Sequence, residues 1–253
     1  MACYLVKQNR IPFKGEDSLL SGIKYSRNGL EANAKALDIV ANNLANINTA
    51  GFKRNVVFME SLKNAAEVPE LTALPNTALD FTQGDIQETG NKLDLAIDGR
   101  GLFTIQTENG IRYARQGHFS RNTEGLLSTS DGDLVMGKSG PILLEGDFSI
   151  AEDGTVLSNG ETVGMLSLAD VDDVSQLKME GNGLFSIKNQ AAIAECEGGY
   201  RVLSGFLEKS NVEPISEMVT MIELYRQFEA NERAIRAQDQ TLEKAVNEIG
   251  RVA

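Results

Sequence analysis

The sequence predicts an α+β protein in which helices from both ends of the chain flank a central antiparallel β domain. Apolar residues recur every seven positions near each terminus, a spacing typical of paired helices. Between the termini, apolar and polar residues alternate, and Asn-Gly or Asp-Gly pairs that favour hairpin turns interrupt the pattern. We therefore expect a discontinuous coiled-coil domain, built from the two ends, with the β domain inserted between them.

These patterns divide the chain into five segments. Residues 1–17 mix basic residues with proline and glycine and are predicted to be a flexible leader. The N-terminal helix and its junction occupy 18–63, and 64–89 is a weakly patterned, extended connector containing two prolines. The antiparallel β domain follows at 90–205, and the C-terminal helix completes the coiled-coil domain at 206–253.

The N-terminal helix is predicted over about residues 18–46, with one large and one small position in each heptad. Alanines 34 and 41 follow two of the large residues by four positions. Such a line of side chains is suited to close contact with another helix. The large positions are Ile23, Leu30, Leu37 and Leu44.

The C-terminal helix is predicted over about residues 215–249. Pro214 suits a first helical turn, and Glu217 favours the positive end of the helix dipole. The two helices could form a private hairpin over the β domain or assemble with other subunits, and the alanine-rich flanks of both seams favour assembly. The heptad residues of this helix are Met221, Phe228, Ile235, Leu242 and Ile249.

The central domain shows period-two patterning in ten short segments. Two of them begin alike, with Gly-Leu-Phe at 101–103 and again at 183–185, which predicts two strands with similar tight entries, packing in the same core. The turn pairs lie at 109–110, 131–132, 153–154 and 159–160. The predicted strands are 93–97, 102–107, 111–115, 126–130, 134–136, 142–144, 148–151, 155–157, 163–168 and 184–187.

The charge distribution limits the possible partners. The net charge is -12, and acidic residues are concentrated in the middle of the chain. A basic stripe that could neutralise phosphates is missing, so we expect no nucleic-acid partner. Apolar runs stay short of the roughly 18 residues that a membrane helix requires, so we expect neither membrane insertion nor a cleaved signal peptide.

Few residues are available for catalysis or for metal binding. His118 is the single histidine, and Cys3 and Cys196 are far apart, so we expect unpaired thiols. The acidic run around Asp172 lacks the spacing of a calcium loop. We expect no enzyme activity, metal, cofactor or small-molecule substrate. The opposing hypothesis, a secreted β-domain enzyme or carbohydrate-binding module, requires a constellation of catalytic residues that we do not find.

Three stretches, in order, resemble the axial proteins of the bacterial flagellum, meaning the rod and hook subunits. They are LDIVANNLANINTAGFKR at 37–54, DFTQGDIQETGNKLDLAIDGRGLF at 80–103 and GFLEKSNVEPISEMVTMIELYRQFEANERAI at 205–235. The compact β domain and the short passage after the first stretch favour proximal-rod subunits, with distal-rod subunits as the alternative. The N-terminal motif comprises Asn42, Asn43, Leu44, Ala45, Asn46, Asn48, Thr49, Gly51 and Phe52.

The resemblance implies a structural subunit of the periplasmic rod that helps to transmit motor torque. It implies export through the flagellar type III apparatus and assembly with other rod subunits and with further copies of this chain. The terminal helices would be largely disordered before assembly. The chain departs from the family at Ala50, where proline is frequent, and in residues 1–17, which precede the usual family start.

The crowding of asparagines at the end of the first helix requires a reason beyond local helix stability. Asparagine is a mediocre helix former that favours caps and turns. We expect these amides to bond across the helix bundle and to unwind the helix end. Gly51 would then permit a bend, and Phe52 would anchor the connector.

Overall fold

The computed structural model describes residues 14–59, 75–188, 193–196 and 198–252. Side chains are described throughout these ranges except at 14–25, 58–59, 75–76, 245–246 and 248–252. Two long helices and a set of antiparallel strands confirm the α+β class. The chain divides into two compact units: unit 1 comprises Met1–Asp38, Met59–Asn76 and Thr220–Ala253, and unit 2 comprises Ile39–Phe58 and Thr77–Val219.

The two helices are α1, Lys14–Ala45, and α2, Pro214–Val252. Helix α1 begins at Lys14, so the last four residues of the predicted leader are helical, and the rest of the leader, with Cys3, lies outside the described residues. Pro214 opens α2, where its fixed φ suits the first turn and its missing N–H leaves no donor unsatisfied. No described helix has a segment apolar enough to span a bilayer.

Within unit 1, the two helices approach each other at a small residue. A Cβ added to Gly29 of α1 would lie 3.0 Å from Nδ2 of Asn231 on α2. Ala32, Asn33 and Ala36 are buried on the same part of α1. The face of α1 that is buried in unit 1 is therefore made of small or polar side chains.

The largest sheet has ten strands and lies in unit 2. Its strand order is β15-β16-β6-β5-β9-β8-β7, with β10 paired to β9, β14 paired to β5 and β17 paired to β14, and the described pairs are antiparallel. The strands are β5 Leu102–Thr107, β6 Gly110–Ala114, β7 Ser120–Arg121, β8 Leu127–Ser128, β9 Leu134–Gly137, β10 Gly140–Pro141, β14 Leu168–Val171, β15 Leu177–Gly181, β16 Leu184–Ile187 and β17 Ile193–Glu195.

The smaller sheets complete the β structure. A three-stranded sheet has the order β11-β12-β13, and three pairs join β1 to β2, β4 to β18 and β3 to β19. These strands are β1 Asn55–Met59, β2 Pro75–Leu79, β3 Ile86–Glu88, β4 Leu95–Gly99, β11 Phe148–Ile150, β12 Thr155–Ser158, β13 Glu161–Met165, β18 Tyr200–Ser204 and β19 Phe206–Glu208.

The four predicted turn pairs lie where the hairpins require them. Gly110, Gly132, Gly154 and Gly160 all have positive φ. They fall between β5 and β6, β8 and β9, β11 and β12, and β12 and β13. The Asn-Gly and Asp-Gly signals are therefore confirmed as hairpin turns.

The repeated Gly-Leu-Phe motif opens β5 and β16, which lie on either side of β6. Phe103 and Leu184 both face Ala114 in the register, so the second copy is offset by one residue. The core of unit 2 consists of two apolar clusters, one on each face of these strands. Because side chains alternate between faces, the offset places Leu102 and Phe185 in one cluster and Phe103 in the other. The expectation that both motifs pack in one core is corrected: the two copies contribute to both clusters.

Several local predictions need correction. The predicted connector contains β2 and β3, because its polar residues pair with strands distant in the sequence, and 60–74 lies outside the described residues. The segment predicted as strand 163–168 is split between β13 and β14. The strand predicted at 142–144 is reduced to β10 just before it and an isolated bridge from Leu143 to Leu126. Strands β1, β7, β15, β17, β18 and β19 were not predicted.

Two apolar clusters form the core of unit 2. The larger contains Phe103 and Phe119, whose rings meet edge to face with centroids 5.1 Å apart. The smaller centres on Phe185, whose ring lies 5.4 Å from that of Phe81. Cys196 is buried in the larger cluster as a free thiol, and burial raises its pKa.

Candidate assembly site at the helix–sheet junction

The end of α1 is held in unit 2 by the side chain of Asn43. Its Nδ2 donates to the backbone oxygen of Asn55 at 2.9 Å and to Oε2 of Glu217 at 3.2 Å. Its Oδ1 accepts from the backbone N–H of Asn55 at 2.9 Å. One buried amide therefore connects the end of α1, the start of β1 and the first turn of α2.

The other asparagines of the motif behave differently. The Nδ2 of Asn46 donates to the backbone oxygen of Asn42 at 2.8 Å, and its Oδ1 accepts from Thr49 Oγ1 at 3.2 Å. The side chains of Asn42 and Asn48 are exposed. Of the four, Asn43 bonds to the other helix, whereas Asn46 closes the end of its own helix.

A carboxylate on α2 completes this first polar cluster. Glu217 is 1% exposed, and its Oε1 accepts from Nε of Arg54 at 2.6 Å. The backbone N–H of Arg54 donates to Oδ1 of Asn211 at 2.8 Å. Charge-assisted bonds to the guanidinium and the Asn43 amide offset the loss of hydration of the buried carboxylate. We call Asn43, Arg54 and Glu217 the helix-side cluster.

A second cluster lies closer to the sheets and is more deeply buried. Glu208, at the end of β19, bridges two cations: Oε1 lies 2.6 Å from Nζ of Lys53, and Oε2 lies 2.6 Å from Nε of Arg115. Oε1 also accepts from the backbone N–H of Gly84 at 3.0 Å. We call Lys53, Arg115 and Glu208 the sheet-side cluster.

Backbone carbonyls accept further hydrogen bonds from these two cations. Arg115 donates to the oxygens of Ile97, Gly99 and Gly101 at 2.5–2.8 Å. Lys53 donates to the oxygen of Thr82 at 2.8 Å. Burial lowers the pKa of Lys53, and the nearby Glu208 carboxylate opposes that shift. Breaking a buried ion pair by removing one partner costs about 3–5 kcal/mol.

The bend between α1 and β1 depends on Gly51. Its φ is +66°, in the left-handed region, which agrees with the predicted bend. A Cβ there would lie 2.4–2.7 Å from backbone atoms of Arg115 and Gln116. The Gly51 N–H donates to the backbone oxygen of Glu208 at 2.7 Å, and the neighbouring Phe52 is buried.

The heptad residues lie at the edge of the buried faces. On α1, Leu30, Leu37 and Leu44 are half-buried, while the adjacent line including Ala36 and Val40 is fully buried. On α2, the half-buried positions are Met221, Phe228, Ile235 and Leu242. The side chains of Ile23 and Ile249 lie outside the described residues.

Sequence reasoning missed the charged residues that bind the junction together. Lys53 and Arg54 were noted as part of a motif, but Arg115, Glu208 and Glu217 were not identified as their partners. The partners are separated from the motif by tens of residues, and local spacing carries no signal for such pairs. The one signal that could have indicated some of them is the closeness of Lys53 to Gly51 and of Glu217 to Pro214, two and three residues away.

The single histidine, His118, pairs with a buried carboxylate at the entry of β4. His118 Nδ1 lies 2.7 Å from Oδ1 of Asp94, and Asp94 also accepts from Thr89 Oγ1 at 2.7 Å. These contacts join the β4 entry to the loop after β6. Within the described residues, no group of three His, Cys, Asp or Glu side chains is arranged to hold a metal ion.

Both ends of the chain and the β domain match models of one protein family. A flagellar basal-body rod model matches residues 23–53, a D1-domain model of the hook proteins FlgE, FlgF and FlgG matches 96–158, and a C-terminal model of the FlgEFG rod proteins matches 203–248. Both polar clusters take residues from the first and third of these regions.

Individual relatives support the same assignment over nearly the whole chain. The rod protein FlgF of Caulobacter vibrioides is 33% identical over 86% of this chain and 93% of its own length. FlgG of Bacillus subtilis is 33% identical over 91% and 98%. The hook-basal body complex protein FlhO of Bacillus subtilis is 29% identical over 92% and 100%. With both terminal motifs joined in one junction and relatives matched over 86–92% of its length, the chain belongs to the flagellar basal-body rod protein family.

Proposed function

We propose that the chain is a structural subunit of the proximal part of the flagellar rod, where it helps to transmit motor torque to the hook and filament. The observation that carries this proposal is the ordered match of both termini and the β domain to rod-family models. The junction supports a mechanical role, because the helix-side cluster connects both helices to β1. The sheet-side cluster connects the segment that follows α1 to β19, which precedes α2. A part that transmits load needs such a fixed connection.

The terminal helices would form an antiparallel coiled coil. In unit 1, Gly29 of α1 lies against Asn231 of α2, and in unit 2, Asn43 of α1 contacts Glu217 of α2. Each pair is 14 residues from the other along both helices, in opposite directions, as an antiparallel pair requires. Half-buried Met221, Leu224 and Phe228 fall on the heptad line of α2 between these contacts.

The coiled coil would be weak in a free subunit. Gly29, Asn33, Ala36 and Asn43 occupy the inner line of α1, and such small or polar residues bury little apolar surface. Helices without strong tertiary packing are marginal in water. The parts of the terminal helices that lie beyond the junction would therefore become ordered on assembly with other rod subunits and with further copies of this chain.

Limited proteolysis of the purified chain tests this coupling. Residues 18–48 and 215–253 are expected to be cleaved well before 90–205, because their seams lack partners. Equal resistance of all three segments would contradict assembly-coupled folding.

The same proposal places the chain in the periplasmic rod, reached through the flagellar type III export apparatus without a cleaved signal. It assigns no catalytic activity, cofactor or small-molecule substrate to the chain. A distal-rod position is the alternative, since relatives named FlgG match as strongly as those named FlgF. Cross-linking to neighbouring rod proteins in purified basal bodies distinguishes the two positions.

Deletion of the gene is expected to abolish motility, and the chain is expected to be retained in purified basal bodies. Replacing Leu37 and Leu44 with Asp should abolish motility while the β domain remains folded by circular dichroism. Asp38→Asn, at an exposed position between them, is the matched control and should leave the cells motile. Absence of the chain from basal bodies would overturn the rod assignment.

A further inference from the structure

Helix α2 carries a row of large apolar side chains on an exposed face. Ile215, Met218, Ile222 and Tyr225 are spaced by three, four and three residues and are between 46% and 69% exposed, and Val219 beside them is half exposed. This line is separate from the half-buried line of Met221 and Phe228 on the same helix. We call the four spaced residues the outer stripe. Exposed apolar surface of this kind marks an interaction site.

Helix α1 has a complementary line. Leu30, Leu37 and Leu44 alternate with Ala34 and Ala41 at spacings of four and three residues, and both alanines are exposed. This line lies beside the buried line of Ala36 and Val40, about 100° around the helix axis. We call it the leucine–alanine seam. The contacts of α1 with α2 within the chain use other positions, at Gly29 and Asn43.

The two surfaces match in size and in length. The outer stripe presents large side chains at all four positions, and the seam offers alanines at alternate positions, into which large side chains can fit. By helix rise, residues 30–44 span roughly 21 Å and residues 215–225 roughly 15 Å. The stripe can therefore lie entirely on the seam.

Charges beside the two lines indicate the orientation. Exposed Glu31 follows Leu30 directly, and exposed Arg226 follows Tyr225 directly, so the two residues hold the same flanking position in their heptads. In an antiparallel pair, equal flanks of the two helices face each other, and opposite charges there favour the pairing. A parallel arrangement would place these flanks apart.

We propose that the outer stripe of one copy packs antiparallel on the leucine–alanine seam of a second copy. The proposal rests on the proposed function, since it names the contact through which the subunits polymerise. When the whole outer stripe is aligned with the leucine–alanine seam, Ile215 lies beside Ala41 and Leu44. In the same alignment, Tyr225 lies beside Leu30 and Ala34. The same register brings Glu31 to Arg226.

Disulfide cross-linking tests the contact in the full-length chain. The background carries Cys3→Ala and Cys196→Ala, and Ala34→Cys is combined with Ile222→Cys. Oxidation of isolated basal bodies, and of the purified chain at increasing concentration, should join copies of the chain. The matched control combines Ala34→Cys with Gln227→Cys, an exposed position on another face of α2, and should give little product.

A charge exchange sharpens the test. Glu31→Arg should reduce the yield of the 34–222 disulfide about two- to fivefold, the range expected for an exposed ion pair. Arg226→Glu in the same chain should restore it. Glu31 also lies 3.6 Å from Arg27 within α1, and loss of that contact would not be rescued by a change on α2.

The outcomes separate the two proposals. Suppose that the cysteine variant is retained in basal bodies and the cells swim, but no 34–222 disulfide forms. The proposed contact with the leucine–alanine seam is then overturned, and the rod function stands. Equal yields from the 34–222 and 34–227 pairs would also overturn it. If the chain is absent from basal bodies, the rod function fails, and the purified chain decides whether the contact forms.

Discussion

The junction and the exposed face of α2 reverse the usual distribution of side chains. At the junction, the charged side chains of Lys53, Arg115, Glu208 and Glu217 are buried and paired. Five and eight residues after Glu217, the apolar side chains of Ile222 and Tyr225 are exposed. A buried charged side chain requires a partner at a fixed position, because a buried charge without a partner lowers the stability of the fold. Apolar surface on the outside requires a partner, and the described residues of this chain do not cover it. The contrast teaches that the junction is complete in one subunit and the helix face is not.

The largest expected effect is at the centre of the junction. Glu208→Gln removes the charge that Lys53 and Arg115 share and should lower the free energy of unfolding by about 3–5 kcal/mol. Urea unfolding of the full chain, monitored by far-UV circular dichroism, measures this change in the free energy of unfolding. Glu124→Gln, at an exposed loop position, is the control and should change little. An unchanged midpoint for Glu208→Gln would show that the junction does not depend on its charges.

Gly51→Ala should destabilise the same region by at least about 3 kcal/mol, because strain at positive φ adds to overlap with the backbone of residue 115. Gly132→Ala provides the comparison: its φ is +92°, but a Cβ there meets nothing within 4 Å. That variant should lose only the roughly 1–2 kcal/mol of backbone strain. Equal losses in thermal or urea unfolding would argue against close packing at the bend.

Asn43→Ala should lower the free energy of unfolding by about 1–3 kcal/mol, since it removes the amide that bonds to the Asn55 N–H and to Oε2 of Glu217. The neighbouring Asn42→Ala is exposed and should be neutral or stabilising by about 0.5 kcal/mol through helix propensity. The pair of variants compares two adjacent residues of one motif by chemical denaturation. Similar losses from both would mean that the motif acts through the helix alone.

The smallest effect on stability is expected on the outer stripe. Ile222→Gln should change the free energy of unfolding by no more than about 0.5 kcal/mol, because the side chain is already exposed. Swimming in soft agar should nevertheless be lost, since the subunit contact is weakened. Glu223→Gln, on the next residue and off the stripe, should leave swimming intact. A motile Ile222→Gln strain would place the subunit contact elsewhere.

Local signals were enough to predict the helices, the hairpin turns and the bend at Gly51. Their causes lie within a few residues: heptad spacing, Asn-Gly pairs with positive φ and a proline at the first helical turn. Strands β18 and β19 were missed because their pairing partners β4 and β3 are more than a hundred residues earlier. Pairing between strands so far apart in the sequence depends on the whole fold, and it produces no periodic pattern in the local sequence.

The polar clusters escaped prediction for a related reason. Lys53 and Glu208 are each unremarkable in sequence, since single charged residues are usually solvated. Only the folded chain brings them within 2.6 Å of each other. The heptad line of α1 stays a prediction for assembly between subunits. Within the chain, the fully buried line is a different one, which contains Ala36 and lies one position away from Leu37.

The chain enters and leaves the β domain side by side. Lys209 N–H donates to the oxygen of Asp85 at 2.8 Å, and β3–β19 and β4–β18 extend this closure into the domain. A force passed between the two chain ends therefore crosses at the mouth of a closed loop. Apart from Arg115 of the sheet-side cluster, the residues of the loop beyond these strand pairs lie off the direct path. In the proposed rod subunit, the ion pairs and closing hydrogen bonds at the mouth would carry the load, and a change in the size of the loop would leave that path intact.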